Sequence, residues 1–278
     1  MPKNTDMYSK IKLFILSVIV ATGLLFAVKS TAAEIVLNSN NTVILDGPVN
    51  YKSVAKVGQR LLELDRNNES SDPIYLVLDT PGGSISDGLA LIEMIKSVNR
   101  PVHTITLFAA SMGFQIVQQV KGKRYITEFG ELMSHKASGR FSGEFPGQLD
   151  NRYAHTLRIL SDMDKKVIER TSGKHTKDSY EKLYENEYWA HGSLALKDGF
   201  ADEIASVRCD STLNGTRIEE FDVFIFTFLL EKSNCPVVPG VINVQVKGDY
   251  YQQNEFKKEL QQELNIITKK DKTILKSW

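Results

Sequence analysis

The 278-residue chain has no surplus of charge, since 34 lysines and arginines stand against 34 aspartates and glutamates. Without a basic excess there is no electrostatic argument for nucleic acid, or for an anionic membrane surface, as a partner. The chain has no Gly-x-x-x-x-Gly-Lys-Ser/Thr loop, so it carries no nucleotide-phosphate cradle of that kind. Its five histidines and two cysteines fall in no spacing suited to a metal, and no cofactor is implied. Long apolar runs are also missing. The longest, Leu13 to Val28, is shorter than the roughly 18 apolar residues expected of a spanning helix.

That run reads instead as part of a secretory signal. Lys3, Lys10 and Lys12 precede it, and Ser30-Thr31-Ala32-Ala33 follows with small residues suited to cleavage. Residues 1–33 are therefore expected to be a signal peptide, with an uncleaved membrane anchor as the alternative. Either way the body is expected outside the cytoplasm, periplasmic or secreted. The remaining composition, 42% hydrophobic and 24% charged, fits one globular domain with appendages.

Three short pieces carry the chemistry: Asp79-Thr80-Pro81-Gly82-Gly83-Ser84, Ala109-Ala110-Ser111-Met112-Gly113 and Met133-Ser134-His135. The apolar run Ile74 to Leu78 ends at the glycines, and Leu91, Met94, Ile95 and Val98 follow at helical spacing. Strand, glycine turn and helix together can turn backbone NH groups into a concavity where developing negative charge is stabilised. A second apolar run, Val102 to Phe108, ends in small residues around the hydroxyl of Ser111. A third, Glu131 to Ser134, delivers His135, and a serine needs such a base because its free hydroxyl is a weak nucleophile. Singly, Pro-Gly-Gly is a turn, Ala-Ser-Met-Gly a tight helix start and a lone histidine a structural residue. In this order and spacing they read as a serine-nucleophile site.

Residues Val43 to Asp202 resemble the proteolytic subunit of the Clp protease, in the superfamily that also holds signal-peptide peptidases and enoyl-CoA hydratases. The resemblance rests on Val43-Ile44-Leu45-Asp46-Gly47-Pro48-Val49, the Pro-Gly-Gly and Ala-Ser-Met-Gly pieces, Lys121-Gly122-Lys123-Arg124-Tyr125, and the closing Ala195-Leu196-Lys197-Asp198-Gly199-Phe200-Ala201-Asp202. It implies an α/β fold, a Clp/crotonase-like spiral of repeated ββα units with a parallel sheet. It further implies Ser111 as nucleophile, His135 as general base, and the NH groups of Gly83 and Met112 as the oxyanion hole. The family's third member is an aspartate 15 residues before the closing aspartate, and here that position holds Glu187, with Trp189 as the aromatic two residues on. A glutamate can orient an imidazole, and Glu185 is the alternative. Lys136-Ala137 stands where the family has Gln-Pro.

The alternation of strands and helices up to Lys96 argues for parallel strands joined by right-handed crossovers, and the continuous apolar strands suit a sheet covered on both faces. A helix is expected over Tyr51 to Arg66 and a long one over Leu149 to Arg170. Leu149, Tyr153, Leu157, Leu160, Met163 and Val167 form a stripe on the second, and its place after the base resembles the helix through which Clp-type rings interdigitate. The peptidase domain is expected over 34–207, with a small C-terminal extension over 208–278. Cys209 and Cys235 there bracket an apolar segment read as a hairpin or an added strand, and outside the cytoplasm they are most simply a disulfide. The residues from Tyr250 read as a charged helix or tail.

Taken together, the sequence predicts an ATP-independent serine endopeptidase acting on peptides or unfolded segments, assembled as a homo-oligomer, with membrane attachment through the N-terminal segment as the alternative to release. The alternative is a catalytically inactive Clp-like scaffold or peptide-binding protein. Acyl-CoA chemistry on the same fold has no use for a Ser111–His135 pair.

Overall fold

The computed structural model describes residues 32–66, 72–223 and 226–247, together with Lys258. The expected signal peptide and the tail beyond Tyr250 lie outside the described residues, apart from those few positions. No helix among the described residues is long and apolar enough to cross a membrane.

The core is a seven-stranded sheet in the order β1-β7-β5-β4-β3-β2, with β6 pairing onto β5. Its strands are β1 (Ala33–Leu37), β2 (Thr42–Asp46), β3 (Ile74–Thr80), β4 (Val102–Ala110), β5 (Arg124–Ser134), β6 (Tyr188–His191) and β7 (Glu203–Cys209). The pairs β2/β3, β3/β4, β4/β5 and β5/β7 are parallel, whereas β6 runs antiparallel to β5. The mixed α/β architecture is that of a Clp/crotonase-like fold. Parallel strands need crossovers, and these are supplied by α1 (Tyr51–Arg66), α2 (Ile85–Ser97) and α3 (Met112–Gln119).

Each crossover has a local cause. Asn50 opens α1, its Oδ1 accepting from the NH groups of Lys52 and Ser53 at 3.0 Å each. Val54, Val57, Leu61 and Leu64 then fall on one buried face. Ser84 caps α2 by accepting from the NH of Asp87 at 3.3 Å. In the sheet, Ile74, Leu76, Val77 and Leu78 are all buried, because helices cover both faces and alternation is lost. Each such side chain contributes roughly 1.5–3 kcal/mol of apolar burial.

After β5 a loop runs to Gly147, followed by the long α4 (Gln148–Arg170), α5 (Lys177–Leu183) and α6 (Gly192–Asp198). Met163 and Val167 of the α4 stripe are buried, whereas Tyr153 and Leu157 are exposed. The closing aspartate has a structural task. Asp202 accepts from Arg124 Nη2 at 2.5 Å and from Arg170 Nη2 at 3.3 Å, tying the start of β5 to the end of α4.

The segment between the cysteines is a hairpin, β8 (Thr216–Val223) and β9 (Phe226–Ser233). With β10 (Asn243–Lys247) it forms a separate three-stranded sheet rather than a strand added to the main one. A disulfide joins Cys209 at the end of β7 to Cys235 just past β9, with Cα atoms 5.9 Å apart. The sheet is also held by charge. Asp46, at the end of β2, accepts from Arg217 Nη2 at 2.7 Å and Lys232 Nζ at 3.0 Å. Glu219 pairs with Lys56 of α1 at 3.0 Å and with Lys232 at 2.9 Å.

Candidate active site

The C-terminal ends of β3, β4 and β5 converge, and each delivers one of the three pieces. Parallel register sets this alignment: Thr80 stands beside Ala109, and Ala110 beside Met133. The chain therefore leaves adjacent strands at Pro81, Ser111 and His135 within one region. Active sites of open parallel sheets form at such strand ends.

Ser111 occupies the turn from β4 into α3 with φ 56° and ψ −118°, a conformation that costs a non-glycine residue energy and clusters at functional positions. Its backbone NH is consumed by Met133 O at 2.9 Å, which fixes the turn against β5. Its hydroxyl lies 2.8 Å from Nε2 of His135. That distance is a hydrogen bond, and a neutral imidazole protonated at Nδ1 would present Nε2 as the acceptor.

Both glycines of Pro-Gly-Gly are required sterically. Gly82 has φ +86°, and a Cβ there would stand 2.5 Å from Ala110 O and 2.7 Å from Met112 N. Gly83 has φ +149°, and a Cβ would stand 2.4 Å from Val49 O. The Val49 backbone clamps this turn by donating to Gly82 O at 2.8 Å and accepting from Ser84 N at 2.9 Å. The clamp leaves the NH of Gly83 without a hydrogen-bond partner among the described residues, as is the NH of Met112 in the first turn of α3. Gly83 and Met112 line one cavity with Ser111 and His135, of about 1140 Å³.

The acid stands apart. The last antiparallel pair of β5 and β6 is Ser134 with Tyr188, so the next step in register sets His135 opposite Glu187. At Glu187, however, the backbone has φ 67°, and its carboxylate accepts from the indole NH of Trp189 at 3.2 Å. No hydrogen bond or ion pair joins His135 to Glu187 or Glu185 in this structure. Glu185 lines the cavity and Glu187 does not.

Other parts of the site went unread in the sequence. Ser134 Oγ and Tyr180 OH are 3.3 Å apart, the Tyr180 and Tyr184 rings meet edge to face at 4.9 Å, and Tyr184 OH donates to Asp164 at 2.8 Å. Burial pushes the phenol of Tyr180 well above its ordinary range. The four-residue spacing of the tyrosines places them on neighbouring turns, a signal too common to single out. His155 is exposed, and His175 stacks on Phe200 at 5.1 Å. Among the described residues no cluster of His, Cys, Asp or Glu is arranged to hold a metal ion.

Residues 29–208 match the Clp protease family. The chain belongs to that family. It is 35% identical over 172 residues to the ATP-dependent Clp protease proteolytic subunit of Streptococcus pyogenes serotype M5 (strain Manfredo), an alignment spanning 60% of this chain and 86% of that protein. The corresponding subunit of Streptococcus sanguinis (strain SK36) is 34% identical, and that of Streptococcus equi subsp. equi (strain 4047) 35%, each over the same shares of the two chains. The family match ends at 208, one residue before Cys209, so the disulfide and the three-stranded sheet follow the shared part.

Proposed function

We propose that this chain is a serine endopeptidase that cleaves peptides or unfolded segments through an acyl-enzyme, in the periplasm or after secretion and without ATP. One observation carries the reading: Ser111 Oγ lies 2.8 Å from His135 Nε2, in a cavity shared with the two unengaged NH groups of Gly83 and Met112. His135 takes the hydroxyl proton as Ser111 Oγ bonds to the substrate carbonyl carbon. The carbonyl π pair moves onto oxygen, where the two NH groups stabilise it. Collapse breaks the C–N bond, His135 protonates the leaving amine, and water then releases the acid by the same route. Loss of one oxyanion donor in comparable sites costs ~3 kcal/mol. Glu187 is assigned as the acid that orients His135, with Glu185 as the alternative.

A fluorophosphonate probe should label Ser111 in the folded protein, and a folded protein that stays unlabelled would refute the reading. Substrate range is tested with a short unstructured peptide and a stable folded protein carrying the same sequence, each with and without nucleotide. Cleavage of the peptide alone, unaffected by ATP, is expected. The exposed Tyr153 and Leu157, at 56% and 46%, together with the family, support a homo-oligomer. Light scattering at micromolar concentration should show more than a monomer. The location rests on residues 1–33, whether cleaved or kept as an anchor.

A scaffold without activity is the second reading, favoured by one observation, the engagement of Glu187 with Trp189 rather than His135. Ser111→Ala should abolish turnover in an enzyme and change nothing in a scaffold.

A further inference from the structure

The cavity holding Ser111 and His135 is walled on one side by α4. Leu160, Asp164 and Ile168 all line it, at the four-residue spacing that puts side chains on one helix face. Asp164 thus stands between two apolar residues, in the middle of the wall. Seven other acidic or lysine side chains line the same cavity, and every one of them is exposed. Asp164 is the one that is not. The exposed charges belong to a solvated rim of mixed sign, where screening leaves little net preference.

Asp164 is also only half-satisfied. Its Oδ2 accepts from Tyr184 OH at 2.8 Å, while Oδ1 has no hydrogen-bond partner and neither oxygen an ion-pair partner among the described residues. Burial pushes its carboxyl above the usual range, and the Tyr184 hydrogen bond offsets part of that. A carboxylate in this state gains from an arriving cation that brings its own donors. Ile85, Met112 and Leu160, which share the cavity, offer apolar surface along which a long methylene stem can lie.

We propose that Asp164 sets the side-chain preference of the site, receiving the cationic head of a lysine or arginine at the substrate residue whose carbonyl Ser111 attacks. The proposal rests on the peptidase reading above and adds to it the class of residue cleaved after. A glycine turn and an oxyanion pair are indifferent to the substrate side chain, whereas a carboxylate between apolar walls selects for length and charge together.

The test uses the full chain and a peptide series differing at one residue: arginine, its neutral isostere citrulline, lysine, norleucine and glutamate. Arginine and lysine should exceed citrulline and norleucine in kcat/KM by about tenfold or more, as expected for one charge-assisted hydrogen bond, with glutamate lowest. Asp164→Asn, which keeps the volume and an acceptor for Tyr184, should bring the arginine-to-citrulline ratio close to one. Fluorophosphonate labelling of Ser111 is read in parallel. Labelling and cleavage with norleucine equal to or above lysine would overturn this inference and leave the peptidase reading intact. Absence of both labelling and cleavage would overturn the two together. Because the wild-type series decides the preference by itself, an Asp164→Asn variant that fails to fold does not shield the proposal.

Discussion

The indole NH of Trp189 donates to the carboxylate of Glu187 at 3.2 Å, although Glu187 and His135 directly follow the last register pair of β5 and β6, Ser134 with Tyr188. Trp189 is itself half-exposed and stacks on Phe108 with ring centroids 6.4 Å apart. Two donors, the indole and the Nδ1–H of His135, are therefore candidates for one carboxylate. If Glu187 orients the imidazole during turnover, Glu187→Gln should lower kcat by roughly 10³–10⁴-fold, as loss of the acid does in comparable triads. Glu185→Gln should change it little. Trp189→Phe keeps a ring against Phe108 and removes the competing donor, so it should retain or raise activity. Steady-state kinetics on the three variants decide the assignment.

The glycine turn gives a second expectation. Gly83→Ala would place a methyl 2.4 Å from Val49 O at a φ of +149°, so either the turn or the Val49 clamp must move. The NH of Gly83 would move with it. We expect kcat to fall about 10²–10³-fold, the range seen when one oxyanion donor is lost, along with ~1–3 kcal/mol of stability. Gly139→Ala, where nothing stands within 4 Å of the added carbon, should leave stability unchanged. Thermal melts and kinetics on both variants separate the effects.

The disulfide predicts a third result. Cys235→Ser releases the three-stranded sheet from β7, and the lost cross-link should cost ~3 kcal/mol through the unfolded state. For a domain of this size that lowers Tm by about 5–10 °C. The native protein should show no titratable thiol until it is denatured with reductant. Two native thiols would contradict the pairing.

Acid should loosen the same sheet at Glu219 and the tie between β5 and α4 at Asp202. Burial alone would raise the Glu219 carboxyl, but hydrogen bonds and charge from Lys232 and Lys56 bring it down to about 2. Burial likewise works against Asp202, and Arg124, then Arg170, carries it below the usual carboxylate range. Both folded values lie below the unfolded ones, so their contribution is present above the ordinary carboxylate range near ~4. It is lost as pH falls from there toward about 2. Denaturant melts at stepped pH should show stability falling across that window. Glu219→Gln should flatten part of the fall.

Much of the fold was legible because its signals are local. The helix expected from Tyr51 to about Arg66 spans Tyr51–Arg66, since the apolar period of Val54, Val57, Leu61 and Leu64 is written in one stretch. The long helix, expected over roughly Leu149 to Arg170, spans Gln148–Arg170. Strand β3 shows as the apolar run Ile74 to Leu78, and the buried positions of β4 are apolar except for Thr104 and Thr106, because both faces of each strand are covered. Strand β5 was read short, as Glu131 to Ser134. Its first half carries Arg124, Thr127 and Glu128, and the buried Arg124 guanidinium is satisfied by Asp202, 78 residues away, together with Gln118 and the Arg170 carbonyl.

By itself the sequence determined the strand-turn-helix units, the family, the two required glycines and the residues that meet as Ser111 and His135, because each depends on neighbours in the chain or on motif spacing. Tertiary structure alone decided the rest. Asp164 and Tyr184 reach the active-site cavity only because α4 and the turn after α5 fold beside Ser111 and His135. The three-stranded sheet is held by Asp46, Lys56 and Glu219, charges whose partners lie up to 186 residues away in sequence. Glu187, one residue before β6, has a positive φ and its carboxylate meets the indole of Trp189. Such contacts follow from how whole elements pack, and no periodicity or spacing within a single stretch records them.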